Sequence, residues 1–302
     1  MNKILVIGSS NIDLIARVRQ LPRPGETVGE ALFMQANGGK GANQAVAAAR
    51  LGGDVGFVSS LGSDAAAAVL REQFAADGID TSTLMTVDDI PTGTALIFVS
   101  EDGENSIAVA PGANRRLTRE RIDAVADRIA GADYLLLQLE IPLDTVAYAV
   151  ELAHRAGTKV VLNPAPAMPL PDELLRQVHL ITPNRTEAET LTGRAVHTVD
   201  DAAEAAGILL GKGVGQVIVT LGADGALIRT PEQTEHVPAP HVTPVDTTAA
   251  GDVFNGALLV ALSERKSLSD AVRFAARCAS VSVTRMGAQT SIPWRCEIGD
   301  DR

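Results

Sequence analysis

Apolar residues in this chain fall in short unbroken runs, at residues 4–7, 55–59, 134–137, 160–162, 180–181 and 217–219. A strand that is apolar on successive residues must be covered on both faces, because a half-exposed strand would alternate with polar positions. Between many of these runs lie stretches of helical character, at 41–51, 65–76, 142–156 and 200–210. Alternation of this kind predicts a three-layer α/β/α sandwich around a mostly parallel sheet. Two regions break the rhythm. Residues 12–37 hold Leu21-Pro22-Arg23-Pro24-Gly25 between strand-like pieces, and 92–110 read as a hairpin of 94–100 and 106–110 turning at Glu101-Asp102-Gly103-Glu104. On these residues alone ordinary edge hairpins are the simpler reading; paired with each other, the two regions would make a small sheet placed as a lid. No repeat or linker interrupts the chain, so 1–302 is expected to be one domain.

Composition narrows the partners. With 37 acidic and 26 basic residues the net charge is −11, which opposes nonspecific binding to nucleic acid or an anionic membrane and favours a small-molecule ligand. Cys278 and Cys296 are far apart and form no ligand cluster, so reduced thiols in the cytoplasm are expected. The apolar run at 4–7 is too short for a signal peptide, and no segment reaches membrane-spanning length. Five histidines, at 154, 179, 197, 236 and 241, are scattered and suggest no role.

The chemistry concentrates where strands end and helices begin. Asp246-Thr247-Thr248-Ala249-Ala250-Gly251-Asp252 runs into Val253-Phe254-Asn255-Gly256. The first amides of a helix have no intrahelical partners, so Ala249, Ala250 and Gly251 can meet a phosphate. Asp252 beside them makes sense as a proton acceptor for a hydroxyl that attacks phosphorus; a simple helix cap explains the segment equally well. Asn37-Gly38-Gly39-Lys40-Gly41-Ala42-Asn43 allows close backbone approach to a ligand, and the phosphate-loop spacing GxxxxGK[ST] is absent from the chain. Asn11 and Asp13 follow the first strand, Glu140 follows another, and Asn184 with Glu187 has the spacing of a capping box. Thr220-Leu221-Gly222-Ala223-Asp224-Gly225 forms a tight turn with room for a flat or anionic group.

Together these segments resemble the ribokinase family of sugar kinases, also called the PfkB carbohydrate kinases. Residues 38–43 match the family's N-terminal signature and 246–258 its C-terminal one, with 139–140, 182–187 and 220–225 in order between them. Gly39-Lys40-Gly41-Ala42-Asn43-Gln44, Asn163-Pro164-Ala165-Pro166 and Ala250, where many relatives carry glycine, place the chain nearest the ribose-phosphorylating members.

The resemblance implies ATP-dependent phosphorylation of the 5-hydroxyl of D-ribose, with 2-deoxyribose, fructose or adenosine as competing substrates and a silent sugar-binding regulator as the non-enzymatic alternative. It implies that Asn11, Asp13, Gly39, Lys40, Asn43, Glu140 and Asp252 hold the sugar, with Asp252 also the catalytic base. Asn184, Thr220, Gly222, Ala223, Gly225 and Gly251 would line the ATP site, and Ala249, Ala250 and Gly251 the anion hole. Mg²⁺ would accompany ATP, touching Glu187 through water. A monovalent cation, K⁺ by resemblance, would sit at Asp246, Thr248, Ser282, Arg285, Gly287 and Ser291. The lid would close on the sugar and pair two subunits as a homodimer. One departure is the ending Asp300-Asp301-Arg302 soon after Trp294, where relatives often continue into a longer helix.

Overall fold

The computed structural model describes residues 3–299; the terminal residues 1–2 and 300–302, including the departure at the C-terminus, lie outside the described residues. The elements follow in the order β1 (Ile4–Ile7), β2 (Asn11–Val18), β3 (Leu32–Gly38), α1 (Lys40–Arg50), β4 (Val55–Gly62), α2 (Ala65–Ala76), β5 (Leu84–Val87), β6 (Gly93–Ser100) and β7 (Asn105–Ala110). Then come α3 (Arg119–Asp123), α4 (Ala126–Gly131), β8 (Tyr134–Leu137), α5 (Leu143–Ala156), β9 (Lys159–Leu162), α6 (Asp172–Leu175), β10 (Leu180–Ile181) and α7 (Arg185–Thr192). The chain finishes with α8 (Val199–Gly211), β11 (Gln216–Thr220), β12 (Ala226–Arg229), β13 (Thr234–Val237), α9 (Ala250–Ser263) and α10 (Leu268–Ser282).

Nine strands form the large sheet in the order β13-β12-β11-β10-β9-β8-β1-β4-β5. Those from β11 to β5 run parallel, while β12 and β13 add antiparallel turns at one edge. The unbroken apolar runs have a direct cause. Along β1, Ile4 and Val6 join a core beneath α1, α2, α9 and α10, whereas Leu5 and Ile7 join another beneath α3 to α8. Successive side chains of a strand point to opposite faces, so a sheet covered twice needs apolar residues at every position. The α/β/α sandwich expected from the pattern is therefore present. No helix among the described residues is long and apolar enough to cross a membrane.

The two rhythm-breaking regions do pair, as a separate four-stranded sheet in the order β3-β2-β6-β7. The chain enters it at Asn11, four residues after β1 ends, so this sheet grows from the carboxyl edge of the large one. It leaves Leu32, Phe33, Met34, Leu96, Phe98, Ile107 and Val109 exposed, Leu32 by 70% and Phe33 by 66%. Beneath the large sheet's edge α1 and α9 approach closely. A Cβ on Gly256 would lie 2.7 Å from Ala47 Cβ and 2.8 Å from Ala48 N, so only glycine permits this crossing.

Candidate functional site

Glu140, Asn184 and Thr220 lie at or just beyond the carboxyl ends of parallel strands, where open α/β sheets place their ligands. Asn11 and Asp13 share a face of β2, Gly39 precedes α1 with φ of 90°, and Lys40 and Asn43 occupy its first turn. Glu140 follows β8, Asn184 caps α7 after β10, Thr220 ends β11 and Asp252 lies in the first turn of α9.

Asp252 is 6% exposed and held by two amides: Asn43 Nδ2 donates to Oδ2 at 3.0 Å, and Gln44 Nε2 donates to Oδ1 at 2.9 Å. Those donors are themselves oriented. Gln44 Nε2 also donates to Asn163 Oδ1 at 2.9 Å while its Oε1 accepts from Gln138 Nε2 at 2.6 Å, and Gln289 Nε2 donates to Asn43 Oδ1 at 3.2 Å. An amide N–H can only donate, so the cradle suits a carboxylate that accepts. Burial pushes the Asp252 pKa up, opposed by the Lys40 ammonium and the two amides. Burial would lower the pKa of Lys40, but the carboxylates of Asp252, Glu140 and Glu187 outweigh it and hold the ammonium above its ordinary value. Asp13 is pushed up to about 6, by burial first and then by Glu140 and Asp252. Glu140 Oε2 accepts from Ser9 Oγ at 2.6 Å and from Lys40 N at 3.0 Å. A cavity of 530 Å³ opens beside Glu140, bounded by Val109 of the small sheet and by Ile141 and Pro166. Three interacting carboxylates around one ammonium, with hydrogen-bonding capacity left over, suit a neutral ligand rich in hydroxyls.

A second cavity, of 510 Å³, opens at the α9 N-terminus, where Thr247, Ala250 and Gly251 line it. Asn184, Thr220, Gly222, Ala223, Gly225 and Gly251 all line it. Phe254, Val242, Ala279 and Val283 add apolar walls, and His241, which suggested no role, also faces it. The Asn184–Glu187 capping box is formed, with Glu187 N donating to Asn184 Oδ1 and Asn184 N to Glu187 Oε2. Burial raises the Glu187 pKa, with its bond from the Asn184 amide and the Lys40 charge opposing. Gly225 has a structural reason besides: a Cβ there would collide with the Val237 carbonyl.

At the mouth of α9, Ala249 adopts a left-handed conformation at φ 60°. The amide of Ala250 is not bare, because it donates to the Thr247 carbonyl at 3.3 Å as the turn tightens. Gly251 is exposed, with open space where a side chain would project. Asn255 Nδ2 braces the turn through the Gly251 carbonyl at 2.8 Å, and Thr182 Oγ1 holds Asn255 Oδ1 at 2.6 Å.

Behind this turn, the Asp246 carboxylate accepts from Thr248 N and Gly287 N, both at 2.9 Å, tying two loops together. Burial works against its charge, yet these bonds and the Arg17 guanidinium hold its pKa below the ordinary value. Ser282 Oγ and Ser291 Oγ donate to Ala279 and Ala288 carbonyls, and Arg285 pairs with Glu297. Any cation there would rely on backbone oxygens and Asp246. Among the described residues no three His, Cys, Asp or Glu side chains form a metal cage.

A model of the pfkB family carbohydrate kinases matches residues 1–295. The chain belongs to that family. It is 47% identical over 298 residues to the ribokinase of Haemophilus influenzae, covering 98% of this chain and 97% of that protein. It is 40% identical to the deoxyribokinase of Salmonella typhi, covering 96% and 95% of the two. Among solved structures, Arabidopsis thaliana ribokinase complexed with ribose and ATP matches at a TM-score of 0.93 and 34% identity, over 98% of this chain and 97% of that one.

The first turn of α9 carries both Asp252, held by Asn43 and Gln44, and Gly251, which lines the second cavity. Gln44 and Asn163 stand among the family markers without a role, Gln138 ends the apolar run before Glu140 without one, and Gln289 and Asn114 lie in no motif. Their side chains bond to other protein groups, side chain or backbone, so no ligand-like pattern betrays them. The one available signal for Gln44 is its place directly after Asn43, on the helix that faces Asp252.

Proposed function

We propose that the protein transfers the γ-phosphoryl group of ATP to the 5-hydroxyl of D-ribose, giving D-ribose 5-phosphate and ADP. The observation that carries the reading is the buried Asp252, cradled by Asn43 and Gln44 in the first turn of the helix whose Gly251 and Phe254 line the nucleotide-sized cavity. The ribokinase relatives, one of them solved with ribose and ATP, support the choice of sugar and nucleotide.

Asn11, Asp13, Gly39, Lys40, Asn43 and Glu140 would hold the sugar hydroxyls. Asp252 is too weak a base to ionise an alcohol beforehand, so it takes the proton as the oxygen bonds to phosphorus. Both its oxygens are already fixed by amides, which spares the reorganisation that a mobile carboxylate would need. Gly251, with Ala249 and Ala250 at the turn, and the Lys40 ammonium would stabilise charge on the transferring group. Mg²⁺ bound with ATP would neutralise phosphate charge; Glu187, buried and engaged by Asn184, fits an outer position reached through water. K⁺ held at the backbone of Ser282, Arg285, Gly287 and Ser291, with Asp246 and Thr248, would stiffen the turn that carries the anion hole.

The small sheet would act as a lid over the sugar, and its exposed apolar residues suit a homodimer in which a second copy covers them. The unpaired Cys278 and Cys296 fit a cytoplasmic setting. A 2-deoxyribose kinase is the second reading, favoured by the 40% identity to a deoxyribokinase. Comparing kcat/KM for ribose, 2-deoxyribose, fructose and adenosine in one ADP-release assay tests both. Preference for any substrate but ribose rejects the proposal, and ribose binding without ADP release would indicate a silent sugar-binding protein.

A further inference from the structure

Asn114 lies outside every motif of the family resemblance and has no part in the reaction described above. It sits in the short 3-10 turn Gly112–Arg116 that leads out of β7, is 2% exposed, and its side chain makes three hydrogen bonds. Its Oδ1 accepts from Ser10 N at 2.9 Å; its Nδ2 donates to the Ser10 carbonyl at 3.2 Å and to Asn11 Oδ1 at 2.8 Å. The backbone of Ser10 offers one donor and one acceptor, and this dictates which end of the Asn114 amide is oxygen and which nitrogen. That choice then dictates Asn11. With its oxygen occupied by Asn114, Asn11 has its own NH₂ group left for a ligand. Gly93 closes the fit, since a Cβ there would collide with both Asn11 Oδ1 and Asn114 Nδ2.

Two residues along the same face of β2, the Asp13 carboxylate can only accept when ionised. A donor followed by an acceptor matches two neighbouring hydroxyls, one offering its oxygen and the next its hydrogen. We propose that Asn114 is a positioning residue which keys Asn11 as a hydrogen-bond donor and so helps the enzyme distinguish ribose from 2-deoxyribose. The inference rests on the ribose-kinase reading above. A site built to hydrogen-bond a hydroxyl rejects the analogue lacking it, because its buried polar group is left unpaired. Without the key, the Asn11 amide can turn over and that penalty shrinks.

The test is Asn114→Asp, which keeps the oxygen facing Ser10 N but sets an acceptor against both Asn11 Oδ1 and the Ser10 carbonyl. The ratio of kcat/KM for ribose to that for 2-deoxyribose should fall about tenfold or more, through KM for ribose, with kcat and KM for ATP within about threefold of wild type. Asn11→Asp preserves the bond from Asn114 and replaces the ligand-facing NH₂ by an acceptor oxygen, so it should reproduce the shift in the ratio. If Asn114→Asp does not fold, the Asn11→Asp ratio decides, and an unchanged ratio there overturns the proposal. A shift in Asn11→Asp with none in a folded Asn114→Asp overturns it as well, leaving the ribose reading intact. A wild-type enzyme that turns over neither pentose overturns both.

Discussion

Asp13 carries its charge at a place where the fold would be more stable without it. Burial, then the carboxylates of Glu140 and Asp252, raise its pKa from 3.8 to about 6. An acid that holds its proton more tightly in the folded than in the unfolded chain favours folding most at low pH. Its contribution is intact below the unfolded value of 3.8 and is lost progressively as pH rises through about 6. At about 1.4 kcal/mol per pKa unit, a rise of roughly two units amounts to about 3 kcal/mol. Replacing Asp13 with Asn removes the ionisable group and keeps the shape. The ligand-free Asp13→Asn protein should therefore exceed wild type in stability by up to about 3 kcal/mol at pH 7, with the gap closing towards pH 4. Urea unfolding of both proteins at pH 4, 5, 6 and 7, without sugar or nucleotide, measures this directly. The same variant should bind ribose more weakly, since the carboxylate is a proposed partner of its hydroxyls, and stability and function would then trade against each other at one residue. Parallel stability–pH curves for the two proteins would refute the reasoning, as would a variant less stable than wild type at pH 7.

Three further outcomes follow from the geometry. Asp252→Asn should lower kcat by about 10²–10⁴-fold with KM for ribose largely kept, as for the loss of a general base; near-normal steady-state turnover would remove Asp252 from that role. Gly256→Ala should cost about 1–3 kcal/mol by forcing α1 from α9, and should also slow turnover, because Asn43 and Gln44 ride on α1 while Asp252 rides on α9. An unchanged melting temperature would show that the two helices part freely. Phe33→Glu, on the exposed apolar surface of the small sheet, should shift the protein from dimer to monomer in sedimentation at micromolar concentration, and a wild type already monomeric there would reject the homodimer.

The sequence by itself determined the layering and the location of the chemistry. Unbroken apolar runs such as residues 4–7 admit only a strand buried on both faces, and the small-residue and Asx segments that follow those strands sit where a parallel sheet opens to its ligand. Short pieces escaped that reading. Helix α6 has four residues and β13 is a half-exposed edge, so neither carries enough of a period to be seen, while α10 was passed over although its helical spacing was there to read. The tertiary structure alone decided how Asp252 is held. Its partners Asn43 and Gln44 are more than 200 residues away in the chain, and the amides that orient them come from Asn163, Gln138 and Gln289, on three further segments. The same holds for the amide of Ala250, which the turn draws onto Thr247. Local pattern records which residues are apolar and which are small; hydrogen bonds between distant side chains depend on relative positions that only packing fixes.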